Sequence, residues 1–177
     1  MNLLSRHAVL VALVGLGFAS TAAAQRKALA PQQSERPLLG PQLGVATNNL
    51  GFFIGAQFAY PVANQIDIYP SFQYYFPSNA YGGFGGVNIT VWSLNAEGRY
   101  WPKLNMANSG LYVGGGLNIT HVGVSLAGIG GSSTDAGLGL LGGWDFKAVG
   151  WRPFAQLHIV IGNADRIEFG GGVNFKL

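Results

Sequence analysis

Apolar and polar or small residues alternate along almost the whole chain after residue 37, in stretch after stretch. Leu39, Pro41, Leu43 and Val45 alternate with Gly40, Gln42, Gly44 and Ala46. Ile66, Ile68, Phe72 and Phe76 alternate with Asp67, Tyr69, Ser71, Gln73 and Tyr75. The same pattern returns at 52–60, 92–100, 111–120, 138–146, 154–161 and 167–177. A period of two is that of a β-strand, whose successive side chains point to opposite faces. Each stretch therefore has one oily face and one polar or small face. Val87 and Ile89 fall on the opposite parity to Trp92 and Leu94, which predicts a β-bulge near Val91 or a segment lying above a membrane.

The stretches are close to the roughly 9–11 residues that a tilted strand needs to cross a bilayer. Turn residues separate them, among them Asn48-Asn49, Pro77-Ser78-Asn79 and Gly162-Asn163-Ala164-Asp165. Eight stretches, an even number, suit a single-chain bacterial barrel, and closure removes the sheet edges that lipid cannot satisfy. The fold class predicted is all-β, an eight-stranded antiparallel up-and-down transmembrane β-barrel.

Composition decides which face meets lipid. Charged residues are 10% of the chain, glycine numbers 28, and the second face carries only one or two charges per strand. A water-facing exterior normally holds far more charge. The oily face is therefore expected outside and the polar face around an enclosed middle. The inverse arrangement, a soluble periplasmic ligand-binding barrel, is the alternative architecture. Cysteine is absent, which excludes disulfides, thiolate metal sites and a Cys nucleophile. The net charge of +3 forms no Lys/Arg stripe on any element, so no nucleic-acid partner is expected.

Residues 1–24 read as a cleaved signal peptide. Arg6 and His7 precede an apolar run from Ala8 to Phe18, and Ala22-Ala23-Ala24 supplies the small residues of a cleavage site. Residues 25–37, with two prolines and no apolar period, read as a flexible extension, and 38–177 as the barrel domain. The expected location is the outer membrane, and the expected partners are its lipid and lipopolysaccharide. With both termini in the periplasm, the surface loops fall near 48–50, 77–86, 122–135 and 162–166.

Aromatic residues gather near the stretch ends. Phe58, Tyr60, Tyr100, Trp101, Trp144, Phe146, Trp151 and Phe175 are expected at one rim, and Phe52, Phe53, Tyr74, Phe76 and Phe169 at the other. Parity sends Asp67, Glu97, Arg99, Asp145, His158, Glu168 and Lys176 inward. Buried charges must pair, so an interior polar network is expected. It either plugs the lumen or lines a narrow pore for small polar or amphipathic solutes, and inward glycines such as Gly44, Gly139 and Gly170 would leave room for water. His121, Ser125 and Asp135 are the one candidate relay for a lipid-modifying enzyme. The histidines are too few and scattered for a metal site, and no cofactor is expected.

Three places resemble the small outer-membrane β-barrel family that includes the OmpA transmembrane domain, OmpX and the opacity proteins. They are Asn95-Ala96-Glu97-Gly98-Arg99-Tyr100-Trp101, Arg152-Pro153-Phe154-Ala155-Gln156-Leu157 and Gly172-Val173-Asn174-Phe175-Lys176-Leu177. The last looks like a C-terminal insertion signal carried by Gly172, Phe175 and Leu177, although the family usually ends in an aromatic residue. The resemblance implies the barrel fold and assembly by the outer-membrane insertion machinery. It implies no single activity, because this fold hosts many.

Overall fold

The computed structural model describes residues 36–77, 87–102, 109–126, 129–146 and 150–177. The leader and most of the extension, and residues 78–86 of the expected surface loop, lie outside the described residues. The strands are β1 (Leu38–Ala46), β2 (Gly51–Ala63), β3 (Ile66–Phe76), β4 (Val87–Tyr100), β5 (Ser109–Leu126), β6 (Ile129–Phe146), β7 (Trp151–Gly162) and β8 (Arg166–Lys176). Each pairs antiparallel with its neighbours in sequence, and β1 pairs with β8 to close the barrel. Every sequence stretch thus maps to one strand. The β1–β2 turn is tight because Asn48 and Asn49 both take positive φ, 57° and 63°. Asparagine tolerates that conformation, and the mirror-image turn it makes matches the twist of a hairpin.

The outer wall is apolar. Leu43, Ile68, Leu117, Leu157 and Phe169 are exposed, Leu117 by 64%. Gln42, Gln57, Asn95, Glu97, Arg99, Asn118, His158 and Asn174 are buried inside. A barrel that is oily outside and polar inside is at rest in hydrocarbon, not in water.

Four details of the sequence reading need correction. The ladder of β4 with β5 runs without a shift from Val87↔Leu126 to Tyr100↔Val113, so no bulge lies near Val91. The parity is continuous, and Val91 and Ile89 belong to an apolar packing inside the barrel. Residues 122–126 and 129–135, expected as a surface loop, are paired strand. Phe53 and Trp101 are not girdle residues: Phe53 is fully buried, and Trp101 packs against the interior cluster. Lys176, expected inside, is exposed. It is the last residue of β8, where its inward parity leads to the open rim.

Candidate functional site

Two apolar clusters lie inside the barrel, one toward each end. Leu38, Ala59, Tyr69, Tyr112 and Leu141, with Trp101 against them, lie at the end where β1 begins. Phe53, Tyr75 and Val91, backed by Ala46, Leu50, Ile89 and Val122, lie where β1 finishes. Their tyrosine hydroxyls and the polar side chains between and beside them form two charged centres.

The first centre joins β3 and β4, which pair Asp67 with Arg99 directly. The guanidinium of Arg99 donates from Nε to Oδ1 and from Nη2 to Oδ2 of Asp67, both at 2.8 Å. Trp101 Nε1 donates to the same carboxylate at 3.0 Å. The guanidinium carbon lies 3.8 Å from the Tyr69 ring centroid, 4.8 Å from that of Tyr112 and 5.1 Å from that of Trp101. This is a forked ion pair packed against aromatic rings, a geometry arginine serves and lysine does not. Both tyrosine hydroxyls then donate to Gln156 Oε1, at 3.4 and 3.2 Å.

The second centre is built around Glu168. Arg166 Nε, two residues earlier on the same face, donates to Oε1. The Tyr75 hydroxyl donates to Oε1. Gln73 Nε2 donates to Oε2 at 3.0 Å, and His158 Nδ1 lies 2.9 Å from the same oxygen. The other His158 nitrogen, Nε2, is 2.8 Å from Glu97 Oε1. Arg166 Nη1 donates to Thr120 at 2.8 Å, and Thr120 to Asn118 at 2.8 Å. Asn118 donates to Asn95, and Asn95 donates to Ser71 and Gln73 at 3.0 Å each. Side chains from five strands, β3, β4, β5, β7 and β8, join in one network.

The residues singled out from sequence divide as follows. Asp67 and Arg99 form one centre, Glu97, His158 and Glu168 the other, and Asp145 is buried on the inward face of β6. Lys176 belongs to neither. Arg166 and Arg152 were missed, although both are buried. Their parity was readable: Arg166 shares it with Glu168, and Arg152 with Gln156 and His158. At the chain end, Gly172 faces Phe154, while Phe175 and Leu177 are exposed on the outer side.

The inward glycines do not leave open space. A Cβ on Gly44 would lie 2.6 Å from the Phe53 ring, and one on Gly172 would lie 2.9 Å from Phe154. On Gly143 it would meet the Tyr112 hydroxyl at 2.3 Å. On Gly139 it would lie 2.5 Å from Glu97 Oε1 and 2.6 Å from His158 Nε2. These glycines are sockets for large side chains of neighbouring strands: Phe53, Phe154 and Tyr112 are the direct cross-strand partners of Gly44, Gly172 and Gly143. Gly139→Ala is accordingly expected to destabilise by about 1–3 kcal/mol through overpacking. Gly131→Ala, with nothing within 4 Å of its added methyl group, should stay within about 0.5 kcal/mol of the parent. Urea unfolding in lipid vesicles, followed by tryptophan fluorescence, measures both.

The candidate relay at the rim is not assembled. His121 Nδ1 lies 2.9 Å from Thr134 Oγ1, and its ring stacks on Trp92 at 5.0 Å. Asp135 is instead bonded by Ser133 and Asn163, each at 3.3 Å. His121 and Asp135 belong to opposite faces, since their cross-strand partners, Thr134 and Thr120, are on opposite parities. Among the described residues no group of three potential metal ligands occurs.

An apolar wall, eight antiparallel strands and a packed polar interior define the class: a small membrane-spanning β-barrel. The same fold is found in solved structures of low sequence similarity. The N-terminal β-barrel domain of Pseudomonas aeruginosa OprF matches with a TM-score of 0.64 at 14% identity, over 82% of this chain and 100% of that one. Neisserial surface protein A (NspA) matches with a TM-score of 0.61 at 18% identity, over 80% of this chain and 96% of its own. Ail, the attachment invasion locus protein of Yersinia pestis, matches with a TM-score of 0.52 at 13% identity, over 80% and 97%. No family model and no curated protein matches the sequence.

Proposed function

We propose that this chain is an integral outer-membrane barrel with a structural or surface-interaction role and no catalysis. One observation carries the reading. The interior is packed with the barrel's own side chains, an apolar cluster toward each end and a buried ion pair against each cluster. An eight-stranded barrel has an interior just wide enough for such filling. What remains for contact is the lipid-facing wall and the end where β5 and β6 project. Lipid and lipopolysaccharide are the natural neighbours of the first. The insertion machinery would read Gly172, Phe175 and Leu177 during assembly, after export by a cleaved leader. A surface role accords with two of the structural neighbours, one named a surface protein and the other an attachment invasion locus protein.

Planar-bilayer recording tests the reading against a narrow pore. The purified full chain is expected to give no current steps above the bare membrane, and reproducible unitary steps would overturn the plugged lumen. Heat-modifiable gel mobility in the outer-membrane fraction is expected alongside, because folded barrels resist cold detergent. Lipid A from cells expressing the protein is expected to keep its mass.

A further inference from the structure

The lipid-facing wall is not evenly covered. Across one row of the sheet, Leu111 on β5 pairs with Trp144 on β6, Trp144 with Ala155, Ala155 with Gly171, and Gly171 with Leu43 on β1. Large side chains stand at both ends of that row, and two small residues stand between them. One row further from the rim where β1 begins, Gly142 is a third small residue, paired with Leu157. The result is a hollow of about 700 Å³, with Trp144 and Leu111 on one flank and Leu43 and Phe169 on the other. Its floor is glycine backbone at Gly142-Gly143 and Gly170-Gly171.

Medium, depth and charge together say what fills it. The wall around the hollow is apolar, with Leu43 and Phe169 each 58% exposed, so its medium is hydrocarbon. An apolar void takes up no water, and a lining with nothing against it forfeits its dispersion contacts. The rim pair Trp151↔Phe175 lies four residues along the strands from Ala155↔Gly171. At about 3.4 Å per residue and a tilt of about 40°, the hollow sits roughly 10 Å inside that rim, in the near half of a bilayer core about 30 Å thick. Lys176 pairs with Leu38 at the same rim, and the Leu177 N–H donates to the Pro37 carbonyl at 3.0 Å, which brings Arg36 alongside. Among the described residues, the exposed charged side chains are Arg36 and Lys176 at this rim and Asp165 at the other.

We infer that this hollow seats an acyl chain of an anionic phospholipid from the leaflet on the side where β1 begins, with the lipid phosphate against Lys176 and Arg36. The inference rests on the reading that the wall stands in a bilayer. From the rim the chain passes Trp151 and Phe175, then Pro153 and Val173, which pair with each other and are half-buried, and ends on the glycine floor. A flexible chain can follow a concave floor on a convex barrel. A second copy fits less well. Two barrels in one membrane are related by rotation about its normal, so a two-fold pair meeting here sets hollow against hollow and doubles the void. A lipid of the opposite leaflet has its phosphate on the side of Asp165, where no basic side chain is exposed among the described residues.

The test is tryptophan quenching in vesicles. Refolded full-chain protein is placed in plain phosphatidylcholine mixed with a rising fraction of a lipid brominated on its chains. The difference between the parent and Trp144→Phe isolates the tryptophan beside the hollow. Brominated phosphatidylglycerol is expected to quench that signal half-way at about a fivefold lower mole fraction than brominated phosphatidylcholine, the worth of one basic side chain at an anionic surface. Arg36→Ala combined with Lys176→Ala should bring the two lipids together. Ala155→Phe fills the hollow with an apolar ring that lipid tolerates, and should erase the preference while heat-modifiable mobility is kept. Equal quenching by the two lipids in the parent would overturn the inference, as would a preference that survives either change. So would a cross-linked dimer whose Trp144 is shielded from both lipids, because the occupant is then a second copy. Failure of the membrane reading looks different: neither lipid quenches any tryptophan, and heat-modifiable mobility is absent.

Discussion

Glu168→Ala is expected to cost about 3–5 kcal/mol of unfolding free energy, the range for breaking a buried ion pair by removing one partner. Four donors converge on this carboxylate: Arg166, His158, Tyr75 and Gln73. Without it, the Arg166 guanidinium stays buried with Thr120 and the Ala164 carbonyl as its bonded acceptors among the described residues. The penalty is the uncompensated charge, more than the lost hydrogen bonds. That distinction has a consequence. The paired change Glu168→Gln with Arg166→Met removes both charges at similar volume and should recover most of the loss, because apolar replacement of a whole buried pair is often neutral. Unfolding in lipid vesicles, scored by tryptophan fluorescence and by cold-gel mobility, reads all the variants. A cost below about 1 kcal/mol for Glu168→Ala would match an exposed pair and mean that water reaches the lumen.

The interior also shows how far parity carries. Alternation is a local property, so a single stretch such as 66–76 announces both its strand and its inward set. Asp67, Glu97, Arg99 and Glu168 were legible for that reason. Who meets whom was not, because it depends on register between distant strands: Gln73 and Glu168 bond across 95 residues. The inward glycines misled for the same reason. Gly44 looks like vacancy in sequence, but the ring that fills it belongs to Phe53, on the next strand. Ile89 misled differently. It keeps its inward parity but is apolar, since it packs against an oily cluster at that end of the interior. Lys176 failed at a boundary, where inward parity no longer means enclosure. The β5–β6 projection was hidden because Gly130 to Ser133 read as loop residues. Pairing with β5 holds them extended despite that composition.

The direction in which the wall faces has its own decisive measurement. Leu117→Arg should destabilise the protein in lipid vesicles by about 2–4 kcal/mol, the cost of a guanidinium near the middle of a barrel's lipid-facing band. Leu117 stands on β5 between Val113 and His121, with Leu138 and Ala96 as its cross-strand neighbours. It has no polar group beside it to share the charge. Ile129→Arg is the matched control. It introduces the same side chain on the next strand, beyond the last β6–β7 pair, at a position more exposed than Leu117. In water that arginine costs little, within about 0.5 kcal/mol, as surface substitutions do. A soluble barrel would treat the two positions alike, since both would face water. A membrane barrel separates them by at least tenfold in the unfolding equilibrium, because a difference of 1.4 kcal/mol already makes that factor. The contrast depends on the medium outside the wall and not on burial within the chain. Equal effects at Leu117 and Ile129 would therefore remove the bilayer from this account while leaving the barrel and its charged interior in place.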